Sequence, residues 1–121
     1  MSWDAYLTDP EEGMVLEQNY THNCNKMIST ALEESGYGDI PKHWLIGHLG
    51  GSWFDILNEM PGDTGAELLD IIIEKFINDP KRFKAMNPPN GWGSYETLLP
   101  ILIAMRDKGR DYPNAKWEVH G

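Results

Sequence analysis

Thr64-Gly65-Ala66-Glu67-Leu68-Leu69-Asp70-Ile71-Ile72-Ile73-Glu74-Lys75-Phe76-Ile77-Asn78 is the stretch whose reading decides the fold. Its centre, Leu68 to Ile73, is apolar enough to pass for a buried strand. Two features turn the reading to helix. Thr64 followed three residues on by Glu67 is a capping-box pattern, in which each side chain satisfies a backbone N–H at the other position. The segment is also longer than an ordinary strand, and its apolar residues recur at helical spacing. They cover more than one face, so this is expected to be the central helix. Pro61-Gly62-Asp63 before it reads as a turn. Asp79-Pro80 after it opens a short further turn of helix, since Pro suits a first helical position.

Downstream lies Ala85-Met86-Asn87-Pro88-Pro89-Asn90-Gly91-Trp92-Gly93-Ser94-Tyr95-Glu96, rich in turn formers around one large aromatic. Ser94 is expected to cap a second long helix carrying Leu98, Leu99, Ile101, Leu102, Ala104 and Met105. Pro100 should kink that helix or delay its start, and Gly109 should end it. Lys116 to His120 alternates, with Trp117 and Val119 on one face, and reads as a strand.

Upstream, Ser2 to Thr8 alternates with Trp3, Ala5 and Leu7 on one side. Asp9 to Gly13 reads as a turn and Met14 to Asn19 as the hairpin partner. Thr21 or Asn23 then caps a helix whose stripe is Met27, Ile28, Ala31 and Leu32, stopped by Gly36 and Gly38. Pro41 to Met60 reads as two short helices around a glycine break. The expected architecture is a single α+β domain over 1–121. A small antiparallel sheet, the N-terminal hairpin plus the C-terminal strand, is covered on one face by four to five helices.

Composition narrows the function. The 121 residues carry a formal net charge of -9, which argues against coating DNA or RNA and against an anionic membrane surface. Acidity suits solubility or a basic protein partner. Cys24 is the only cysteine, so no intrachain disulfide forms and a reducing, cytoplasmic setting is expected. The N-terminus lacks a basic region followed by an apolar run, and no apolar stretch of about 18 residues suggests a membrane span. Asn19-Tyr20-Thr21 matches a glycosylation sequon by chance.

No catalytic signature is complete. His43 and His48 lack the i, i+4 spacing and glutamate of a zinc helix, and Cys24 with His22 has no further ligands at recognisable spacing. A Cys24/His22 nucleophile pair has no family signature. Gly47, Gly50, Gly51 and Ser52 lack the Lys-Ser/Thr ending of a phosphate loop. The expected sets of catalytic residues, metal ligands and cofactors are therefore empty. Two binding clusters stand out. The first is the polar junction Asn19, Thr21, His22 and Asn23, which simple turn chemistry also explains. The second is the loop with Asn87, Asn90, Trp92 and Tyr95, preceded by the basic Lys81, Arg82 and Lys84. Trp92 is either a stacking platform or a core anchor. As a platform, beside free N–H groups at the Ser94 helix start, it would suit a planar anionic ligand such as a nucleotide.

The order of motifs, Asn19-Tyr20-Thr21-His22-Asn23 leading to a helix and then Asn87-Pro88-Pro89-Asn90-Gly91-Trp92-Gly93-Ser94-Tyr95 before the last helix, resembles small hypothetical proteins of bacteriophages. The resemblance implies a viral accessory protein, cytoplasmic in an infected bacterium, and supplies no catalytic residue. Two functions follow. One is a non-enzymatic binder of a small nucleotide-derived ligand that sequesters a host immune signal, with a site that a second copy of the chain could share. The other is an acidic protein-interaction module that inhibits a host protein.

Overall fold

The computed structural model describes residues 2–35 and 56–120. Strands β1 (Ser2–Asp9), β2 (Gly13–Thr21) and β3 (Lys116–His120) form an antiparallel sheet in the order β2-β1-β3. The helices are α1 (Asn25–Glu34), α2 (Gly62–Asn78), α3 (Pro80–Lys84) and α4 (Tyr95–Asp111), with a 3-10 turn at His22–Cys24. This is the expected α+β arrangement, with four α-helices among the described residues. Residues 36–55 lie outside them, and with them most of Pro41 to Met60, where two short helices and a glycine break were expected. Of that range 56–60 are described, and Ile56 and Leu57 are helical.

Alternation sets the sheet. Trp3, Ala5, Leu7, Trp117 and Val119 are buried on one face. In the hairpin turn the Asp9 carboxylate accepts from the Glu11 and Glu12 amides, both at 3.0 Å. Register places Tyr6 opposite Glu17 on one side and Glu118 on the other. The register shifts between Leu7 and Thr8, pairing them with Leu16 and Met14 and leaving Val15 as the extra residue. The outer edge of β3 is closed by the 58–61 segment. Trp117 donates to the Met60 carbonyl at 2.9 Å, and Val119 donates to the Asn58 side chain at 3.0 Å.

The central helix is where it was expected, but the capping box is not its start. Helix α2 begins two residues before Thr64, with Pro61 at the cap and no side-chain cap bond. The Gly62 amide donates instead to the Ala115 carbonyl at 2.7 Å. Tertiary contact has replaced local capping. The reason is close approach: a Cβ on Gly62 would collide with the Tyr112 carbonyl, and one on Gly65 with the Trp117 indole. Gly109 likewise does not end α4, which runs on to Asp111. It lets α4 lie against α2, since a Cβ there would meet the Gly62 carbonyl oxygen. Pro100 does not delay α4; it sits inside the helix and leaves the Glu96 carbonyl without its usual donor. Arg106 ties the two helices through Asp70 at 2.7 Å.

The polar junction also caps differently. Thr21 caps the 3-10 turn by accepting from the Asn23 amide at 3.2 Å. Helix α1 then starts from Cys24 with no side-chain cap, and it ends at Ser35, before Gly36.

Candidate functional site

Two polar stretches some 70 residues apart in sequence meet at the end of β2. The Asn23 side-chain amide donates to the Trp92 carbonyl at 3.2 Å. Gly93, at φ +90°, packs so closely on Tyr20, Thr21 and Cys24 that no side chain fits there. Asn90 accepts from the Trp92 amide at 3.0 Å, closing a local turn. Asn87 holds the other end: its carbonyl accepts from the Tyr95 amide at 2.7 Å, and its NH2 donates to Glu96 at 3.2 Å.

Tyr20 is the keystone, and no sequence argument had put it in the site. Its hydroxyl accepts from the Ser94 amide at 2.9 Å and lies 2.7 Å from the Thr97 hydroxyl. Burial raises its pKa, so the phenol stays protonated. A tyrosine ending an alternating strand carries no signal of a partner 74 residues away.

On this braced loop Trp92 is 71% exposed. The core-anchor alternative is thereby excluded. A large aromatic left in solvent, on backbone fixed from beneath, is not serving the core.

The structure does not gather every candidate there. Tyr95 is a core residue, 6% exposed, and its hydroxyl donates to the Phe76 carbonyl at 2.8 Å. At the start of α4 its ring packs 5.3 Å from that of Phe76 at the end of α2. Arg82 turns away to a bidentate pair with Glu34 and a 2.6 Å contact with Asp79. Lys84 rests 5.5 Å over the Tyr95 ring. Both carboxylate partners of Arg82 lie outside the Trp92 loop. Asn19 is held within the sheet by Ser2, the Trp3 carbonyl and Asp4. His22 opens the 3-10 turn.

The helix start at Ser94 is not a vacant anion site either. Ser94 caps α4 as expected, accepting from the Thr97 amide at 3.2 Å. The Tyr95 amide is taken by Asn87. The Glu96 carboxylate bonds its own backbone N–H, which holds its pKa below the usual range, helped by Asn87. A carboxylate already stands where an anion would bind.

Cys24 is buried, and burial pushes its thiol pKa up, the opposite of an activated nucleophile. Among the described residues no group of His, Cys, Asp and Glu could hold a metal ion, and no helix is long and apolar enough to cross a membrane. His43, His48 and the glycines at 47–51 lie outside those residues. A cavity of about 410 Å³ lies elsewhere, between Ser35, α2 and Arg82, and no Trp92-loop residue lines it.

No family model matches the chain, and the comparisons with curated proteins and with solved structures give no match.

Proposed function

We propose that this chain is a non-enzymatic binder that stacks a small planar, nucleotide-derived ligand on Trp92. The observation that carries the reading is the 71% exposure of Trp92 on a loop whose backbone is fixed by Asn23, Asn90 and Tyr20. Stacking on a pre-set aromatic avoids the ordering cost of forming a site on binding. Thr21, Asn23 and Asn90 add neutral hydrogen-bonding groups along the loop and the junction that braces it. Glu96 at the helix start and the ion-paired state of Arg82 favour recognition of the ring over recognition of a phosphate. With the resemblance to small bacteriophage proteins, the biological role proposed is a phage-type accessory that sequesters a host immune signal.

The test is a thermal-shift screen of nucleosides, nucleotides and cyclic nucleotides against the wild type and Trp92→Ala. A ligand that raises the wild-type Tm and leaves Trp92→Ala unmoved supports the reading. No shift with any planar ligand at saturating concentration would sink it.

A second reading, an acidic module that inhibits a host protein, is favoured by how charge is distributed. The strands and hairpin turn carry Asp4, Asp9, Glu11, Glu12, Glu17 and Glu118 against the single cation Lys116. Asp4, Glu17 and Glu118 surround Tyr6 on the open sheet face, and burial first, then Asp4 and Glu17, raise the Tyr6 pKa. A basic partner would meet this face through charge complementarity. Salt-sensitive capture of a basic host protein, lost on charge reversal at Glu17, distinguishes this reading from the first.

A further inference from the structure

We propose that Asn90-Gly91 is a self-modification site, at which the folded loop promotes deamidation of Asn90. It is the one Asn-Gly pair in the sequence, and both residues are exposed. In the reaction the Gly91 backbone N–H loses its proton to solvent base, and its nitrogen attacks the Asn90 side-chain carbonyl carbon. The new N–C bond closes a five-membered ring. The bond from that carbon to Nδ2 breaks and ammonia leaves with a solvent proton. Water then opens the succinimide at either carbonyl, giving aspartate or isoaspartate at position 90.

Three features of the loop serve this chemistry. Negative charge develops on Asn90 Oδ1 as the ring closes, and the Trp92 amide already donates to that atom at 3.0 Å. A fixed donor at the developing oxyanion is the arrangement that lowers such barriers. The nucleophile is barely held, because the Gly91 amide has only a 3.4 Å contact to the Pro88 carbonyl. Gly91 also has open space around it, at φ +75°.

The remaining asparagines lack this combination. The amide after Asn58 donates to the Trp117 carbonyl at 2.7 Å, and those after Asn78 and Asn114 donate at 3.1 Å. Asn87 is followed by proline, which has no N–H. Asn19, Asn23 and Asn25 lie in the strand, the 3-10 turn and α1. Conversion at Asn90 places a new carboxylate next to Trp92. As isoaspartate it also lengthens the main chain by one methylene, which breaks the turn that Asn90 makes with the Trp92 amide.

The experiment holds the full chain at mildly alkaline pH, folded in buffer and unfolded in urea. Conversion at each asparagine is followed by peptide mass mapping, with isoaspartate resolved by fragmentation. The expected result is that Asn90 converts first, at a rate in the folded protein equal to or above that in urea. Asn90→Ser, which cannot form the ring, shows no conversion in this peptide. A folded protein that keeps Asn90 intact while the unfolded chain converts overturns the proposal, because the turn would then protect. Earlier conversion of another asparagine in the folded protein overturns it equally.

Discussion

Trp92 and Trp117 both sit among glycines, yet the glycines act in opposite ways. Around Trp117 they remove volume. Gly65 leaves room for the indole face, and Gly62 brings its carbonyl within 3.3 Å of the indole N–H, which donates to it. That Trp is fully buried and joins β3 to α2. Around Trp92 the glycines supply backbone conformation instead. Gly91 and Gly93 both hold positive φ, and between them the side chain is turned out to solvent. The same residue types build a core joint in one place and a display loop in the other. Main-chain hydrogen bonds hold both. What separates the two is that Trp117 is also anchored by its side chain, through the indole N–H, while the bonds at Asn23 and Asn90 fix only the main chain of Trp92.

The largest expected effect is the stability difference between two truncations. Trp117→Ala should cost about 3–5 kcal/mol, as large core aromatics do. Trp92→Ala should stay within about 0.5 kcal/mol of wild type, as for an exposed side chain. Urea unfolding of both variants measures the contrast. Equal losses would mean that Trp92 is a packing residue after all.

A smaller separation is expected between two glycine substitutions. Gly62→Ala forces a methyl into the Tyr112 carbonyl, and overpacking of this kind costs about 1–3 kcal/mol or more. Gly91→Ala meets no atom and bears only the positive φ, a cost of about 1–2 kcal/mol. The Tm of Gly62→Ala should therefore fall further. The reverse order would locate the strain in the loop rather than at the α2–α4 crossing.

These pairs also show what could be read from residues alone. The strands were legible because period-2 burial is a local pattern, and Trp117 with Val119 marked β3 outright. Helix α2 was legible from its apolar spacing, but its start was not. Thr64 and Glu67 match a local capping pattern, and the packing of Gly62 against Tyr112 and Ala115 overrode it. Gly109 was read as a stop for the same reason, since a glycine used for close packing looks like a terminator. In the site, the loop and the Asn19–Asn23 junction could each be marked from composition. Their meeting could not, because it rests on Tyr20 reaching Ser94. The basic residues misled in a different way. Arg82 is close to the loop in sequence, but Glu34 and Asp79 outcompete it as partners.

The main-chain anchoring of the loop can be loosened without touching Trp92. Tyr20→Phe removes the acceptor of the Ser94 amide and the partner of Thr97. Leaving a part-buried N–H unsatisfied should cost about 1–2 kcal/mol. Hydrogen exchange at Ser94 and Trp92 should rise more than exchange across α2. A uniform rise would make Tyr20 a general core residue, and the contrast between the two tryptophan environments would lose its basis.

The smallest effect concerns acid. The folded pKa of Glu96 lies below its unfolded value, chiefly through its own backbone N–H and then through Asn87. A carboxylate shifted down contributes stability above its unfolded pKa, and that contribution disappears as pH falls through the folded pKa. Protonation also weakens the Asn87–Glu96 contact at the loop's second fastening. Glu96→Gln keeps a hydrogen-bonding side chain but does not titrate there. Its Tm should fall less than that of wild type between neutral pH and the acid side of the carboxylate range. The side chain is exposed and solvent-screened, so the difference is expected to be slight and confined to that window. If the two proteins lose stability in parallel, Glu96 does not brace the loop, and the display of Trp92 rests on Tyr20, Asn23 and Asn90 alone.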